Sequence, residues 1–123
     1  MATGIRNPKW SRDELILALD LYLHYQQKLP AKTSEEISNL SKLLIKLGHQ
    51  LGRTIGDKYR NPNGVYMKLQ NFKRCDPTYA NAGKTGLSHG GSHEETIWQE
   101  FCVDRRTLRL AATAIRSKIE ANE

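Results

Sequence analysis

Positive charge gathers in one part of the sequence. Residues 42–74 contain eight lysine and arginine side chains and a single acid, Asp57. The whole chain of 123 residues has 19 Lys and Arg against 13 Asp and Glu, a formal net charge of +6. A basic cluster of this kind is typical of a protein that meets a polyanion such as nucleic acid. A solvated basic surface without a partner is the alternative that the charge pattern leaves open.

The segment RNPNGVYMKLQNFKR, residues 60–74, combines amide and cationic side chains. Cations and backbone N–H groups contact phosphates, and helix starts present such N–H groups. We therefore expect phosphate contacts from Arg60, Asn61, Asn63, Lys68, Lys73 and Arg74. For Asn61 a second role stays open, because asparagine before proline also caps a helix. For Lys68, Lys73 and Arg74, we expect no nearby acids that would neutralise them in pairs.

A glycine-rich segment, GKTGLSHGGSH, follows further along the chain. Glycines remove side-chain bulk and expose backbone amides, while serine and histidine offer short, orientable polar groups. This composition predicts contacts to base edges from Gly86, Ser88, His89 and Gly90. A flexible surface loop is the alternative.

Residues with catalytic or metal-binding chemistry form no recognisable constellation. The four histidines are scattered, without the HExxH or Cys/His spacing of a metal site. Glu94 and Glu95 fit the first turn of a helix, where the macrodipole favours acids. Cys75 and Cys102 stand outside any CxxC pattern, which indicates core or free thiols. We expect a binding domain with no catalytic residue, metal or cofactor.

The elements that must position these residues are helices. Ser11 and Glu14 form a capping box, and a wide apolar stripe after them predicts a central helix that Pro30 ends. Thr33 is predicted to open a second helix and Gly48 to stop it.

Asn61-Pro62 then starts a third helix, whose Val65, Leu69 and Phe72 face the core. Asp76-Pro77 ends this helix, and Ser92 and Asp104 are predicted to cap two more helices. No strand pattern occurs, so we expect a single all-α domain over residues 1–123, with about five helices and a long Gly-rich loop. No apolar run of membrane-spanning length and no signal region occur, so we expect a cytoplasmic protein.

Three stretches together resemble a known family. WSRDELILALDLYL, YRNPNGVYMKLQNFKRCDPTY and GKTGLSHGGSHEETIWQEF, in this order, resemble the N-terminal domain of bacterial HNH-type, modification-dependent (McrA-like) restriction endonucleases. The resemblance covers about residues 9–116. It implies a domain that recognises modified double-stranded DNA, with cutting done by a fused or partner HNH nuclease. No HNH pattern follows residue 116, so we expect a DNA reader rather than a nuclease.

The chain is also similar to sulfur-binding domains, which recognise phosphorothioate linkages in the DNA backbone. That similarity implies a shallow apolar pocket at Pro30 and Ala31, with Lys28 and Lys32 beside it, and a Gly/His-rich motif at residues 86–90. The motif departs from the family pattern at Leu87-Ser88. A 5-methylcytosine reader, a nonspecific nucleic-acid-binding module and a helical protein-interaction module remain as alternatives.

Overall fold

Helices make up most of the chain that the structure describes. The computed structural model describes residues 7–77 and 93–122, and these ranges hold five helices. They are α1 (Arg12–His24), α2 (Glu35–Gln50), α3 (Pro62–Cys75), α4 (His93–Phe101) and α5 (Arg105–Ala121). No strand occurs in these two ranges, so the all-α prediction is confirmed. None of the five helices is long and apolar enough to cross a bilayer. Most of the predicted Gly-rich loop, residues 78–92, lies outside the described residues.

The first helix lies at the centre, as its wide apolar stripe predicts. α1 contacts each of the other four described helices, and residues 14–20 are all buried. The predicted capping box is present: Ser11 Oγ accepts from the Glu14 amide, and the Glu14 carboxylate accepts from the Ser11 amide at 2.8 Å. The buried face therefore begins within the first turn of the helix, at Glu14 itself.

Two boundaries of α2 differ from their predictions. Its N-cap is Ser34, whose hydroxyl accepts from the amide of Ile37, and not the neighbouring Thr33. Gly48 does not stop the helix, which continues to Gln50 and is followed by Gly52 with a positive φ of 75°. Gly48 is instead a buried packing position, because a Cβ there would lie 2.8 Å from the ring of Tyr59. This close approach explains the glycine better than helix termination does.

The predicted features of α3 and α5 are confirmed. Asn61 Oδ1 accepts from the amide of Gly64 at 2.8 Å and Pro62 follows as the first helical residue. The three apolar positions of α3 (Val65, Leu69 and Phe72) are fully buried. Asp104 caps α5 through the amide of Thr107. The predicted cap of α4, Ser92, lies outside the described residues.

The directions of the helices give the described bundle two distinct ends. At one, which we call the Gln26 end, Gln26 follows α1 and bonds both Asp76 after α3 and Arg105 at the start of α5. At the other, the Glu14 end, Arg60 before α3 bonds Glu14 near the start of α1. α1 and α3 therefore run in the same direction. α5 runs opposite to them, and so does α2, since Gln50 near its end bonds the Ile119 carbonyl late in α5.

Candidate nucleic-acid interface

Arg60, predicted to grip a phosphate, is buried. Only 4% of the residue is exposed. Its Nε donates to Glu14 Oε2 at 2.8 Å and its Nη2 to Glu14 Oε1 at 3.0 Å. The expectation of a solvent-facing Arg60 is thus corrected: a buried guanidinium needs a carboxylate partner, and Glu14 supplies it across 46 positions of sequence.

The Arg60–Glu14 pair belongs to a larger buried cluster at the Glu14 end. The guanidinium carbon of Arg60 lies 5.0 Å from the ring centroid of Trp10 and 4.6 Å from that of Tyr59. Arg53 donates to Glu14 Oε1 at 3.2 Å and to the Tyr59 hydroxyl at 2.7 Å. Burial alone would raise the pKa of Glu14, but the hydrogen bonds, with that from Arg60 foremost, outweigh it and lower this pKa. The cluster secures the 51–61 connection to α1.

Lys68, the second predicted phosphate contact, is paired with an acid. Its Nζ lies 2.6 Å from Glu94 Oε2, and Asn71 donates to the same oxygen at 3.2 Å. Both side chains of the ion pair are mostly covered, at 16% and 17% exposure. The sequence interpretation found no neutralising acid near Lys68, and this is wrong, because Glu94 reaches it from α4. The pair also gives Glu94 a role beyond the helix dipole.

The remaining predicted residues of this segment separate along α3. Asn61 is half-buried and its side chain caps α3, while Asn63 is exposed near the Glu14 end. Arg74 is exposed in the last turn, at the Gln26 end, and Lys73 beside it is half-buried. A helix of 14 residues is about 21 Å long, so these two groups do not form one compact site.

The loop predicted to hold a sulfur pocket lies at the Gln26 end, with Arg74. Lys28, Ala31 and Lys32 are exposed and Pro30 is half-buried. Leu29 packs against the core beneath them, and the loop closes through a bond from the Ser34 amide to the Ala31 carbonyl at 2.8 Å. The fold thus presents a proline and an alanine between two exposed lysines.

Gln26 ties this loop to its neighbours. Its Nε2 donates to Asp76 Oδ2 at 2.7 Å, and its Oε1 accepts from Arg105 Nη2 at 2.6 Å. Asp76 is itself buried and also accepts from the Tyr22 hydroxyl at 2.7 Å. One side chain thereby joins the ends of α1 and α3 to the start of α5.

The four predicted base-contacting residues (Gly86, Ser88, His89 and Gly90) lie outside the described residues. The sequence reasoning also passed over three arginines, Arg105, Arg106 and Arg109, which are exposed on the first turns of α5. They were missed because residues 76–123 as a whole carry nearly balanced charge. Arg109 follows Arg106 by three positions and Arg105 by four, so it neighbours both on one helix, and this spacing is the signal that would have found them.

The described residues offer little for metal or thiolate chemistry. No group of three or more His, Cys, Asp or Glu side chains able to hold a metal ion occurs among them. Burial and, after it, the carboxylates of Glu95, Glu94 and Asp76 raise the pKa of Cys75 to about 11. This thiol is therefore protonated at neutral pH and is a poor nucleophile.

Comparisons with known proteins identified no relative. No protein-family model, no curated protein and no solved structure matches this chain. A functional assignment must therefore be argued from the positions and charges of its own residues.

Proposed function

We propose that this chain binds double-stranded DNA with its Gln26 end and distinguishes a phosphorothioate linkage from an ordinary phosphate there. It would act as the specificity module of a restriction system. The observation that carries the proposal is that Lys28, Lys32 and Arg74 lie at the same end of the bundle as Pro30 and Ala31, because Gln26 bonds Asp76. The loop at residues 28–32 and the end of α3 were predicted separately, and Pro30 and Arg74 are 44 residues apart. Both segments contribute residues to the same end of the bundle.

The cations of this end are available to a polyanion. Lys28, Lys32 and Arg74 are exposed, and none of them forms an ion pair within the described part of the chain. Nearby acids have other roles. Glu35 and Glu36 lie in the first turn of α2, where the dipole stabilises them, and Asp104 caps α5. Binding to phosphates would release the counterions that these cations hold.

The apolar surface between the lysines suits sulfur. A phosphorothioate sulfur is larger and less well hydrated than the oxygen it replaces, so contact with carbon atoms favours it. The side chains of Pro30 and Ala31 offer carbon atoms and no hydrogen-bond donors, and the flanking Lys28 and Lys32 would balance the charge on the linkage. Leu29, the neighbour of the half-buried Pro30, packs against the core and so anchors the loop.

Recognition of a methylated base is less well supported. A 5-methylcytosine reader that flips its base needs an aromatic or apolar pocket for it. Trp98, Phe72 and Phe101 are buried, and Trp10 packs on the core beneath Arg60 and Lys68. The three buried rings are committed to the fold, whereas Trp10 is half-buried and also lines a cleft of about 300 Å³ with Leu15 and Ile97. A nonspecific nucleic-acid binder remains the second candidate, because the exposed cations alone would suffice for it.

The decisive experiment compares three duplexes of one sequence that carry a phosphorothioate, a 5-methylcytosine or no modification. Fluorescence anisotropy at fixed salt gives each Kd. The proposal expects the phosphorothioate duplex to bind at least tenfold more tightly than the other two. Equal affinity for all three would leave a nonspecific binder, preference for the methylated duplex would replace sulfur by base recognition, and no binding would reject DNA as the partner.

A matched pair of variants locates the pocket. Pro30→Glu is expected to abolish the preference for phosphorothioate, since a carboxylate would repel the linkage. Pro8→Glu makes the same change at an exposed proline before α1 and is expected to keep the preference. Loss of preference in both variants, or in neither, would contradict the placement of the pocket. Thermal melts establish that both variants are folded.

A further inference from the structure

We infer that the first turns of α5 form a second phosphate-binding element, in which Arg105, Arg106 and Arg109 contact the DNA backbone beside the loop at residues 28–32. This inference rests on the proposed DNA binding and adds residues to the same interface. Gln26 supplies the geometry, because it bonds Arg105 on one side and Asp76, two residues after Arg74, on the other. The arginines of α5 and Arg74 of α3 therefore flank the end of α1.

The stability of α5 does not account for these arginines. The first turn of this helix contains no acid and two arginines, Arg105 and Arg106. A cation at a helix N-terminus opposes the macrodipole and so destabilises the helix. Asp104 offsets part of this, but its two carboxylate oxygens are bonded to the amide and hydroxyl of Thr107. A polyanion bound at this turn would pair with Arg105 and Arg106 and so remove this destabilisation.

Two of the three arginines are held in position and still reach solvent. Arg105 is exposed, and its Nη2 is fixed by the Gln26 oxygen. Arg109 lies 3.5 Å from Asp20, and its Nη2 lies 3.1 Å from His24 Nδ1, yet 54% of its side chain is exposed. Arginines fixed in this way lose less conformational entropy when they bind phosphate.

Arg109 shares its charge with the acids of a cleft, whereas Arg105 and Arg106 do not. Asp20 and Glu36 line the cleft of about 210 Å³ that Arg109 and Arg116 also line, so the cleft itself is balanced. Burial raises the pKa of Asp20, against the opposing effects of Arg109, Arg116 and His24. Arg105 and Arg106, one turn earlier on α5, have no ion pair in the described ranges. Arg105 and Arg109 are separated by about 6 Å along the helix, far enough to reach different phosphates.

The test compares two double variants that each remove two positive charges. Arg105→Gln with Arg106→Gln changes the proposed element. Lys9→Gln with Lys58→Gln changes two exposed cations at the Glu14 end: the Lys9 carbonyl accepts from Arg60 Nη2 at 3.2 Å, and Lys58 lies in the 51–61 connection. Binding of unmodified and phosphorothioate duplexes is measured by anisotropy over a range of salt concentrations.

The inference expects the first double variant to lose at least tenfold in affinity for both duplexes alike. The slope of log Kd against log salt should fall by about 1.8, because two phosphate contacts are lost. The control variant should keep the wild-type slope. Arg105→Lys, which retains the charge, should recover most of the affinity and so separate phosphate contact from the structural bond to Gln26.

Three results would overturn the inference, and they differ in what they say about the proposed function. A wild-type slope and affinity in the Arg105, Arg106 double variant would reject the second element while DNA binding stands. Failure of the wild-type chain to bind any duplex would reject both. Equal losses in the two double variants would show an effect of net charge alone and would also overturn the inference.

Discussion

The guanidinium of Arg60 donates to both carboxylate oxygens of Glu14, at 2.8 and 3.0 Å. Arg60 adopts a positive φ of 45°, which is rare for a residue with a side chain. Its carbonyl accepts from the buried hydroxyl of Ser41 in α2 at 2.8 Å. Arg60 alone thus joins α1, α2 and the 51–61 connection. Its charge stabilises the fold at the Glu14 end.

Removing the charge of Arg60 is expected to destabilise the protein strongly. Arg60→Leu leaves the buried Glu14 carboxylate without its main partner, at a cost of about 3–5 kcal/mol in the free energy of unfolding. Arg12→Leu is the matched control, because Arg12 forms a bidentate pair with Glu100 on the surface. Exposed pairs contribute about 0–1 kcal/mol. Urea unfolding measures both, and equal losses would contradict the role given to Arg60.

Stability is expected to fall in acid, partly through Glu94. Burial would raise the pKa of Glu94, but the hydrogen bond from Lys68 lowers it, followed by a backbone hydrogen bond, the Lys68 charge and the hydrogen bond from Asn71. Together these effects lower the pKa overall. A carboxyl whose pKa is lowered on folding stabilises the protein above its unfolded pKa of about 4.3. That contribution is lost as the pH falls through the lower, folded value.

Glu94→Gln tests this pH dependence. We expect the variant to be less stable than the wild type at pH 7 and to lose less stability between pH 5 and pH 3 as measured by urea unfolding. Glu95→Gln, at the adjacent half-buried position, is the comparison. An unchanged pH profile in Glu94→Gln would show that the Lys68 pair contributes nothing to folding.

Gly48→Ala is expected to destabilise a helix that alanine would ordinarily favour. Within an open helical site this change gains up to about 1 kcal/mol. At Gly48 the added Cβ would lie 2.8 Å from the Tyr59 ring and 2.9 Å from Ile55 Cδ1, so packing must shift. Overpacking of this kind costs about 1–3 kcal/mol. A rise in melting temperature would contradict the close packing of Tyr59 on α2.

Sequence reasoning recovered the parts of the fold that depend on neighbouring residues. The caps at Ser11, Asn61 and Asp104 and the apolar stripes were predicted because each bond joins residues three positions apart. The cap of α2 was misplaced by one residue, because Thr33 and Ser34 both carry a hydroxyl that can cap a helix. Gly48 was misread because its packing partner, Tyr59, lies beyond the helix.

The site was harder to predict because charge partners come from distant segments. Nothing local pairs Arg60 with Glu14 or Lys68 with Glu94, and these pairs remove two of the predicted phosphate contacts from the surface. The relative directions of the helices also cannot be predicted from any one segment of the sequence. It places Arg74 at the same end as Lys28 and Lys32, and it brings Arg105 to Gln26.

NMR mapping of the wild-type chain with a phosphorothioate duplex tests the central claim, which is that the Gln26 end binds DNA. We expect the largest amide shifts at the four non-proline residues of the 28–32 loop, at Arg74 and at Arg105, with little change at Asn63 and Lys58 near the Glu14 end. Shifts concentrated around Lys58 and Asn63, or no shifts at any of these residues, would contradict the account.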